Sequence, residues 1–350
     1  MARVDEVGVG HPVESAPMPR PPLTLDRFVL EGQHEYPAAT GELSLLLMRL
    51  GVAGKRIARE LAIADILQTH GSAGTANVSG EEQKKIDVRA NEILVETFDY
   101  GGLVSFVASE ELEEPHVYRG NADSARYAVL FDPMDGSSNI DVDGTLGTIF
   151  SIRPRRDGTE ADLLRPGTEQ VAAGYILFGP AVLFVYTSGN GTHVFSLDPS
   201  IGEFVLVRRS LQMPKQGRGY AVNEGRRGGW AETDRAFVEH LKEPDESSGR
   251  PYSTRYSGSM VGDVHRILIE GGIYLYPADA SSGRPSGKIR LLYECHPLAF
   301  VVEQAGGRAS TGKERVLDLA PRKLHERIPV AIGSVFEVDL YERFARKARI

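Results

Sequence analysis

Apolar residues in the first hundred positions recur mainly at helical spacing. Over residues 25–67 they return every three or four positions, which predicts helices that each bury one face. The recurring apolar residues are Leu43, Leu46, Leu47, Leu50, Ile57, Leu61 and Ala64. Thr40 is a candidate cap for the helix that has Glu42 in its first turn. Residues 81–98 repeat the helical spacing, whereas residues 71–77 are small, lack any period and predict a mobile loop.

Short runs of β-forming residues dominate the middle of the chain. From Gly147 to Val207 the runs read GTIFSIR, AAGYILFG, AVLFVYTSG, HVFSLD and EFVLVR. Their short connections predict a largely antiparallel meander. Two earlier apolar runs, at residues 103–108 and 127–131, predict further strands, the second of them buried.

The pattern changes again near residue 212, where helices begin to alternate with strands. The predicted elements include helices Glu232–Lys242 and Met260–Glu270 and strands Ile273–Tyr276 and Pro329–Ile332. The change predicts a boundary between an N-terminal domain, residues 23–214, and a C-terminal domain, residues 215–350. Residues 1–22 are polar and rich in proline, which predicts a disordered arm. The overall class is α and β in layers, with sheets covered by helices.

Composition narrows the classes of protein that this chain can belong to. Its 350 residues are 41% hydrophobic and 25% charged, and the net charge is −8. An acidic chain is a poor candidate for nucleic-acid binding. No apolar run approaches the roughly 18 residues that a membrane span needs, and the first residues do not have the pattern of a signal peptide, so the cytoplasm is expected. The single cysteine, Cys295, excludes an intrachain disulfide.

The octapeptide DPMDGSSN, Asp132 to Asn139, follows the predicted buried strand 127–131 directly. It supplies two carboxylates three positions apart, and carboxylate and carbonyl oxygens are the ligands that Mg²⁺ prefers. Gly136 allows close approach of the backbone to a ligand, and the amides that follow it can point at a phosphate. A helix beginning after Ser137 would add a favourable dipole. These residues alone fit a metal and phosphate site or a plain turn.

Further acidic residues could complete a metal site. Glu110 and Glu111 follow the predicted strand 103–108, and adjacent side chains point in different directions, so one could reach a metal and the other a water. Asp87 lies near the buried border of the predicted helix 81–98. Taken singly, each of these acids also fits a solvated surface.

Two groups of basic and aromatic residues could bind phosphate. Lys288 and Arg290 alternate on a strand-like run and so reach the same face, and Glu294 follows at the start of a helix that runs on through Ala305. The second group combines the segment Arg255–Met260, which precedes a helix, with Asn223 and Tyr276, and it uses amides at the helix start. For Cys295 and His296 packing is favoured, because no Cys/His spacing indicates zinc.

These motifs make the chain resemble the class I fructose-1,6-bisphosphatases of the lithium-sensitive, Mg²⁺-dependent sugar phosphatase superfamily. The resemblance is colinear from about Leu23 to the C-terminus. The matching segments are Thr40–Leu43, Asn77–Val88, Ser109–Glu111, Asp132–Asp141, Gly147–Phe150, Leu197–Val207, Asn223–Gly225, Arg255–Arg266, Gly271–Ala278, Gly287–Gly307 and Thr311–Glu314. DPMDGSS by itself indicates only the superfamily, whereas LLYEC and RYSGSM narrow the resemblance to this family.

The resemblance implies Mg²⁺-dependent hydrolysis of the 1-phosphate of fructose 1,6-bisphosphate, in gluconeogenesis or Calvin-type carbon metabolism, with Mn²⁺ or Zn²⁺ as possible substitutes. The implied metal ligands are Glu110, Asp132, the Met134 carbonyl, Asp135 and Glu294, assisted by Asp87. Glu111, with Asp87, is the implied catalytic acid or base that orients or deprotonates the attacking water. The residues implied to bind substrate are Asp135, Gly136, Ser137, Ser138, Asn223, Arg255, Tyr256, Tyr276, Lys288 and Arg290.

The resemblance also implies a five-layered αβαβα sandwich assembled as a homotetramer, in which Arg255 reaches a neighbouring subunit. A possible effector site for AMP comprises Thr40, Gly41, Glu42, Leu43, Arg126 and Tyr127. Three positions depart from the family pattern, and the first is His70, which stands where the family's mobile loop usually has a tyrosine. Pro154 stands where AMP-inhibited members have an arginine, and Arg226 stands where the family has a tyrosine.

Other functions stay open at the level of sequence. Arg226 and the altered loop 281–286 leave room for sedoheptulose 1,7-bisphosphate as a substrate, alone or as well. A catalytically inactive regulatory protein is a remote alternative, because such a protein would be expected to lack some of the acidic residues. We expect a sugar bisphosphate as the binding partner, and neither nucleic acid nor membrane.

Overall fold

The computed structural model describes residues 22–34, 40–67, 71–77, 82–120, 125–282 and 285–347. The predicted disordered arm, residues 1–22, lies outside them except for Pro22. The α-helices are α1 (Leu25–Gln33), α2 (Glu42–Ala62), α3 (Ala64–Leu67), α4 (Lys85–Phe98), α5 (Glu232–Lys242), α6 (Met260–Glu270), α7 (His296–Gln304) and α8 (Val335–Lys347). Short 3₁₀ helices cover Ser137–Val142, Glu160–Asp162, Gly167–Glu169, Glu224–Gly229, Glu246–Ser248, Ala280–Ser282 and Val316–Asp318, and a π-helical turn covers Leu291–Cys295.

The strands form two larger sheets and two small ribbons. In the first half of the chain they are β1 (Ser72–Ala76), β2 (Glu82–Lys84), β3 (Val104–Ser109), β4 (His116–Val117), β5 (Tyr127–Asp135), β6 (Leu146–Pro154), β7 (Ala172–Phe178), β8 (Val182–Thr187), β9 (Thr192–Asp198) and β10 (Glu203–Leu211). In the second half they are β11 (Gly219–Ala221), β12 (Ser253–Thr254), β13 (Ile273–Tyr276), β14 (Ile289–Arg290), β15 (Arg308–Ser310), β16 (Arg327–Ile328) and β17 (Val330–Gly333).

The larger sheet has the strand order β10-β9-β8-β7-β6-β5-β3-β4 over the described residues. Strands β5 to β10 pair as an antiparallel meander, as the spacing of the β-rich runs predicts. Within this sheet, over the residues that the structure describes, β3 and β5 are the one parallel pair. Their carboxyl ends therefore lie at the same edge of the sheet, which brings the acids after β3 beside the acids at the end of β5.

The smaller sheet has the order β12-β11-β13-β17-β15. Helices α5 and α8 pack on one of its faces, against residues that include Ile273 and Leu275. Helices α6 and α7 fill the space between the two sheets, where Tyr274 of the smaller sheet and Tyr175 of the larger one share a core. Alternation along β13 thus divides its side chains between two helical layers.

Helices α1, α2 and α4 cover the outer face of the larger sheet, against a core that includes Val129, Phe131 and Phe150. The order of layers is therefore α1, α2 and α4, then the larger sheet, then α6 and α7, then the smaller sheet, then α5 and α8. This is the five-layered αβαβα sandwich that the resemblance implies. The division into two domains near residue 214 stays a prediction.

Several local predictions are wrong in detail. Thr40 does not cap α2: Gly41 occupies the cap position with φ +82° and no side-chain cap, and the Thr40 hydroxyl donates to Glu42. Residues 72–76 form strand β1, paired antiparallel with β2, rather than a structureless loop. Backbone pairing explains the difference, because a hairpin of small residues needs no hydrophobic period. Because residues 82–84 form β2, helix α4 begins at Lys85 and not at the predicted residue 81.

Candidate active site

Three buried carboxylates meet beyond the ends of the strands of the larger sheet. Asp132 and Asp135 lie at the C-terminal end of strand β5, and Glu294 lies in the π-helical turn before α7. One ligand oxygen from each of the three lies within 4.8 Å of the others. The turn that carries Glu294 is anchored by Leu292 and Tyr293, which pack against the larger sheet. The fold thus joins two acids predicted from DPMDGSSN with one more than 150 positions further along the chain.

Asp135 is held by the beginning of α6. Its carboxylate accepts hydrogen bonds from the Ser259 hydroxyl at 2.6 Å and from the backbone N–H groups of Met260 at 3.1 Å and Val261 at 2.8 Å. These donors orient the carboxylate and leave part of its acceptor capacity for another ligand. The amides at the start of α6 therefore serve Asp135, and the expectation that they serve a second phosphate pocket is wrong.

Gly136 makes this close packing possible. Its φ of +81° lies in the left-handed region. A Cβ at this position would lie 2.7 Å from the Cβ of Ser259. The 3₁₀ helix Ser137–Val142 begins directly after it, so both serine side chains stand at the rim of the acidic cluster.

Arg290 connects the acids of two separate segments. Its guanidinium lies 2.6 Å from the Glu110 carboxylate and 3.9 Å from that of Glu294, and its backbone N–H donates to Glu294 at 2.6 Å. All three residues are buried. The sequence predicted Arg290 as a phosphate ligand on the same face as Lys288. Both residues line the same cleft, but the guanidinium of Arg290 already pairs with Glu110.

Glu111 points away from Glu110, as adjacent residues at a strand end should. Its carboxylate accepts a hydrogen bond from Gln83 at 2.5 Å and a longer one from Asn77 at 3.4 Å. Asp87 is buried nearby, accepts the backbone N–H of Lys84 at 2.9 Å, and leaves its Oδ1 without a partner among the described residues. Repulsion between like charges links these acids: Asp87 is affected by Glu111 and Glu110, and Asp132 of the three-carboxylate cluster is affected by Glu110.

Burial raises the pKa of most of these acids. It raises the pKa of Glu294 to about 8, against the opposing charge of Arg290, and the pKa of Asp87 to about 7. The pKa of Asp132 is raised by burial and then by Glu110 and Glu294, and that of Glu111 by burial and then by Glu110. Like charges held together out of water are costly unless a cation joins them. The arrangement therefore suits a divalent cation.

The acidic cluster opens into a cleft, which we call the reaction cleft. Its lining residues are Glu110, Asp132, Met134, Asp135, Gly136, Ser137, Ser138, Tyr256, Gly258, Met260, Tyr274, Tyr276, Lys288, Ile289, Arg290 and Glu294. A second cavity adjoins it and shares Tyr276 and Lys288. This distal cavity is lined by Val222, Asn223, Arg226, Trp230, Leu275, Tyr276, Pro277, Asp279, Gly287 and Lys288.

Most of the predicted substrate residues therefore lie together, and Arg255 stands apart. Its side chain is exposed and donates to the carbonyl of Thr254, and it lines neither cavity. Tyr256 faces the reaction cleft, where burial raises its pKa to about 12 and a hydrogen bond with Asn223 opposes the shift. The position of Arg255 agrees with a role outside its own subunit, which stays a prediction.

Four of the six predicted effector residues line a different cavity. Thr40, Gly41, Leu43 and Tyr127 line a large cleft between α1, α2 and the larger sheet. Glu42 and Arg126 form an ion pair at 3.4 Å, which uses part of the charge of Arg126.

Sequence reasoning missed residues that orient the acids. Ser259 holds Asp135, and Gln83 and Asn77 hold Glu111, across separations of up to 124 positions. The Ser259 position carried a weak signal, since a serine before an apolar helical run is a typical cap, and its hydroxyl does accept the Gly262 N–H. Nothing in the sequence around Gln83 indicated a partner.

A five-layered sandwich with a cluster of buried acids beside basic and hydroxyl groups defines a metal-dependent sugar phosphatase. The family model described as fructose-1-6-bisphosphatase, N-terminal domain, matches residues 23–209, and that described as the C-terminal domain matches residues 213–346. The chain belongs to the class 1 fructose-1,6-bisphosphatases.

Curated relatives and solved structures agree with this assignment. The chain is 47% identical over 331 residues to fructose-1,6-bisphosphatase class 1 of Thermosynechococcus vestitus, with 93% of each protein covered. It is 45% identical to the protein of the same name from Chlorobium phaeovibrioides, covering 93% of this chain and 99% of that one. The crystal structure of Leishmania major fructose-1,6-bisphosphatase in holo form superposes with a TM-score of 0.87 at 37% identity, covering 93% of this chain and 99% of that chain. The T-state structure of the Leishmania protein gives 0.82 at 36% identity, with the same coverage.

Among the described residues, none forms a helix that is both long and apolar enough to span a bilayer.

Proposed function

We propose that this chain removes the 1-phosphate of fructose 1,6-bisphosphate, releasing fructose 6-phosphate and inorganic phosphate, with Mg²⁺ as its metal. The observation that carries the proposal is the convergence of Asp132, Asp135 and Glu294 in one cleft with the Ser137 and Ser138 turn. Membership of the fructose-1,6-bisphosphatase family supplies the substrate.

The donor set fits a hard divalent cation. The three clustered candidate ligands are carboxylates, and among the residues that the structure describes no sulfur or imidazole ligand, of the kind that favours other metals, joins their cluster. The unpartnered Oδ1 of Asp87 offers one further oxygen nearby. Bound Mg²⁺ would neutralise charge on the phosphate and help to ionise a water. Glu110 and the Met134 carbonyl complete the proposed set, and Mn²⁺ and Zn²⁺ are the proposed substitutes.

The phosphate would be oriented by groups on both sides of the acidic cluster. Ser137 and Ser138 present hydroxyls and amides at the start of their 3₁₀ helix, where the turn at Gly136 keeps the backbone close. Lys288, which lines the same cleft, adds a positive charge. Arg290 acts mainly by holding Glu110 and Glu294 in place, since its charge is shared with both.

Glu111 is the proposed base for the attacking water. Its carboxylate is oriented by Gln83 and Asn77, and burial raises its pKa, which favours acceptance of a proton. Asp87 lies behind it and its pKa of about 7 suits it to share that proton. Phosphoryl transfer of this kind depends on position and charge stabilisation rather than on a protein nucleophile.

Phosphate-release assays test the proposal directly. Enzyme stripped with EDTA should lose activity and regain it with Mg²⁺, and the sugar product should be fructose 6-phosphate in a coupled assay. Sedoheptulose 1,7-bisphosphate, assayed in parallel, measures the alternative that Arg226 leaves open. Full activity after chelation, or fructose 1-phosphate as the product, would reject the mechanism.

The proposed homotetramer and the role of Arg255 can be tested with mixed subunits. Arg255→Ala should raise KM, and Asp132→Asn should inactivate its own site. If Arg255 acts on a neighbouring subunit, hybrids of the two variants should recover a low KM, because intact sites in Arg255→Ala subunits then receive Arg255 from Asp132→Asn partners. Absence of recovery in hybrids shown to be tetrameric would place Arg255 outside the shared site.

A further inference from the structure

The distal cavity is lined by a cation, Arg226, at a position where the family pattern has a tyrosine. Arg226 lies in the 3₁₀ helix Glu224–Gly229, and its side chain is 56% exposed while lining the cavity beside Asn223. Its backbone N–H donates to the Asn223 carbonyl at 3.0 Å. Asn223 precedes the helix directly, and both Asn223 and Arg226 line the distal cavity.

Asp279 holds Arg226 only loosely. The closest approach of the two charged groups is 3.9 Å, which is too long for a hydrogen bond. The Oδ1 of Asp279 already accepts the Ser281 N–H at 3.0 Å and the Ser281 hydroxyl at 2.6 Å. The guanidinium is therefore held near the cavity mainly by charge, and an anion that offers shorter contacts can compete for it.

The turn that carries Arg226 is fixed against the turn that carries Asp279. A Cβ at Gly229 would overlap the carboxylate of Asp279 and approach the Ser281 hydroxyl at 2.5 Å. Trp230, which follows this turn, is 4% exposed and packs in the core beneath the smaller sheet while also lining the cavity. The backbone that carries Arg226 is therefore held in place, and only the Arg226 side chain has to move.

The distal cavity and the reaction cleft are continuous. Tyr276 and Lys288 line both, whereas the three clustered carboxylates line only the reaction cleft and Arg226 lines only the distal cavity. A sugar whose 1-phosphate lies at the acidic cluster must pass Lys288 and Tyr276 to place its other end beside Asn223 and Arg226. The phosphate at that end would meet a cation able to bind two of its oxygens at once.

We infer that Arg226 is a specificity-determining residue that moves from Asp279 to the distal phosphate of the sugar bisphosphate. The inference rests on the proposed function, because that function defines which phosphate lies at the acidic cluster. Arg226 then acts on affinity for the doubly phosphorylated sugar and not on the chemical step, since it lies away from the reacting phosphate.

A neighbouring arginine provides a matched control. Arg227 follows Arg226 directly, is 47% exposed, and pairs with Glu239 of α5 at 2.9 Å, on a different side of the 3₁₀ helix. Replacing either arginine by alanine removes the same charge from nearly the same place. Of these two arginines, only Arg226 lines the distal cavity. A direct contact with phosphate therefore predicts weaker binding in Arg226→Ala alone, whereas a general electrostatic effect predicts equal losses in Arg226→Ala and Arg227→Ala.

The test compares Arg226→Ala, Arg226→Lys and Arg227→Ala with the parent protein. Fructose 6-phosphate, which carries only the distal phosphate, is titrated by calorimetry, and kcat and KM are measured with fructose 1,6-bisphosphate. In Arg226→Ala, the Kd for fructose 6-phosphate and the KM should each rise by roughly ten- to a hundredfold, the loss of one charge-assisted contact, with kcat nearly unchanged. Arg226→Lys should lose less, and Arg227→Ala should match the parent.

An unchanged Kd for fructose 6-phosphate in Arg226→Ala would overturn the inference, and so would an equal loss in Arg227→Ala. The proposed function fails by a different observation, the absence of phosphate release from fructose 1,6-bisphosphate by the parent protein with Mg²⁺. Because the calorimetric titration does not depend on turnover, the two failures can be told apart.

Discussion

Asp132 and Asp135 are separated by three positions but have different surroundings. Asp135 accepts three hydrogen bonds from Ser259, Met260 and Val261, so its charge is shared with the start of α6. Asp132 accepts the Met134 N–H at 3.0 Å, and its carboxylate faces Glu110 and Glu294. The first aspartate therefore depends on a cation for stabilisation, whereas the second also supports the fold.

Substitution should separate these two roles. Asp132→Asn should nearly abolish kcat because it removes a charged candidate ligand, and the metal-free protein should keep or gain stability because a buried repulsion is relieved. Asp135→Asn should lower both the activity and, by about 1–3 kcal/mol, the free energy of unfolding. The reason is that a neutral amide accepts the hydrogen bonds from α6 less strongly than a carboxylate does. Steady-state kinetics and chemical denaturation in EDTA measure both effects. Equal loss of stability in the two variants would contradict this account.

Glu111→Gln should leave metal binding nearly intact while lowering kcat by roughly a hundred- to ten-thousandfold, the usual contribution of a general base. The glutamine keeps the size of the side chain and can still contact Asn77, but it cannot accept a proton. Metal titration of kcat separates the two properties. A large rise in the Mg²⁺ concentration needed for half-maximal activity would instead make Glu111 a ligand.

At the scale of elements, the turn between β5 and the 3₁₀ helix Ser137–Val142 determines the geometry of the site. It carries both aspartates and both serines within seven positions and packs against the beginning of α6. The amides of α6 hold the turn through Asp135, so the helix contributes by positioning an acid rather than by contacting phosphate. A change in this turn should affect catalysis and packing together.

Gly136→Ala tests that coupling. The substitution places a Cβ 2.7 Å from Ser259 in a residue whose φ is +81°, so both sterics and backbone strain oppose it. We expect a loss of about 1–3 kcal/mol in the free energy of unfolding and a large fall in kcat. Gly120→Ala, where a Cβ meets nothing within 4 Å, is the control and should behave as the parent. Normal kcat in Gly136→Ala would show that the turn tolerates displacement.

At the scale of the whole molecule, the metal and the fold should stabilise each other. Without metal, the pKa of Glu294 is raised to about 8 and that of Asp87 to about 7, both mainly by burial. A folded state that holds protons more tightly than the unfolded chain loses stability as pH rises from the ordinary carboxyl pKa towards these values. Metal binding requires the ionised carboxylates and therefore releases protons.

The Tm of the metal-free protein should accordingly fall between about pH 5 and about pH 8, and the increase in Tm on adding Mg²⁺ should grow over the same window. Scanning calorimetry with EDTA and with excess Mg²⁺ gives both curves. A Mg²⁺ effect on Tm that does not vary with pH would show that the acids are ionised without metal.

Regulation by AMP should be weak in this chain. Pro154 pairs with Tyr127 across β5 and β6 and offers neither charge nor N–H to an anion. The adjacent Arg153 cannot compensate, because its guanidinium is buried, donates to the carbonyls of Arg165 and Pro166, and contacts His296 at 2.9 Å. Loss of one charge-assisted contact should lower the affinity for AMP by roughly ten- to a hundredfold relative to family members that AMP inhibits. Half-inhibition at low micromolar AMP would contradict this prediction.

The local pattern of the chain was enough to predict much of the fold. Helices α5 and α6 and strand β13 have the predicted bounds, because amphipathic period and flanking residues act over a few positions. The acids at the ends of β3 and β5 were predicted from composition at strand ends, and the pairing of these strands in parallel brings them together. The small-residue strand β1 was missed because its only support is backbone pairing.

Local patterns in the sequence predict most of the helices and strands, the short segments that carry acids and, through the motifs, the family. Which hydrogen bonds and ion pairs those groups form depends on contacts that only folding creates. Folding gave the α6 amides to Asp135 across 125 and 126 positions, paired Arg290 with Glu110, and turned Arg226 rather than Arg227 towards the distal cavity. The physical reason is that hydrogen bonds and charge pairs form between groups that folding brings within about 4 Å, and separation along the chain does not report that distance.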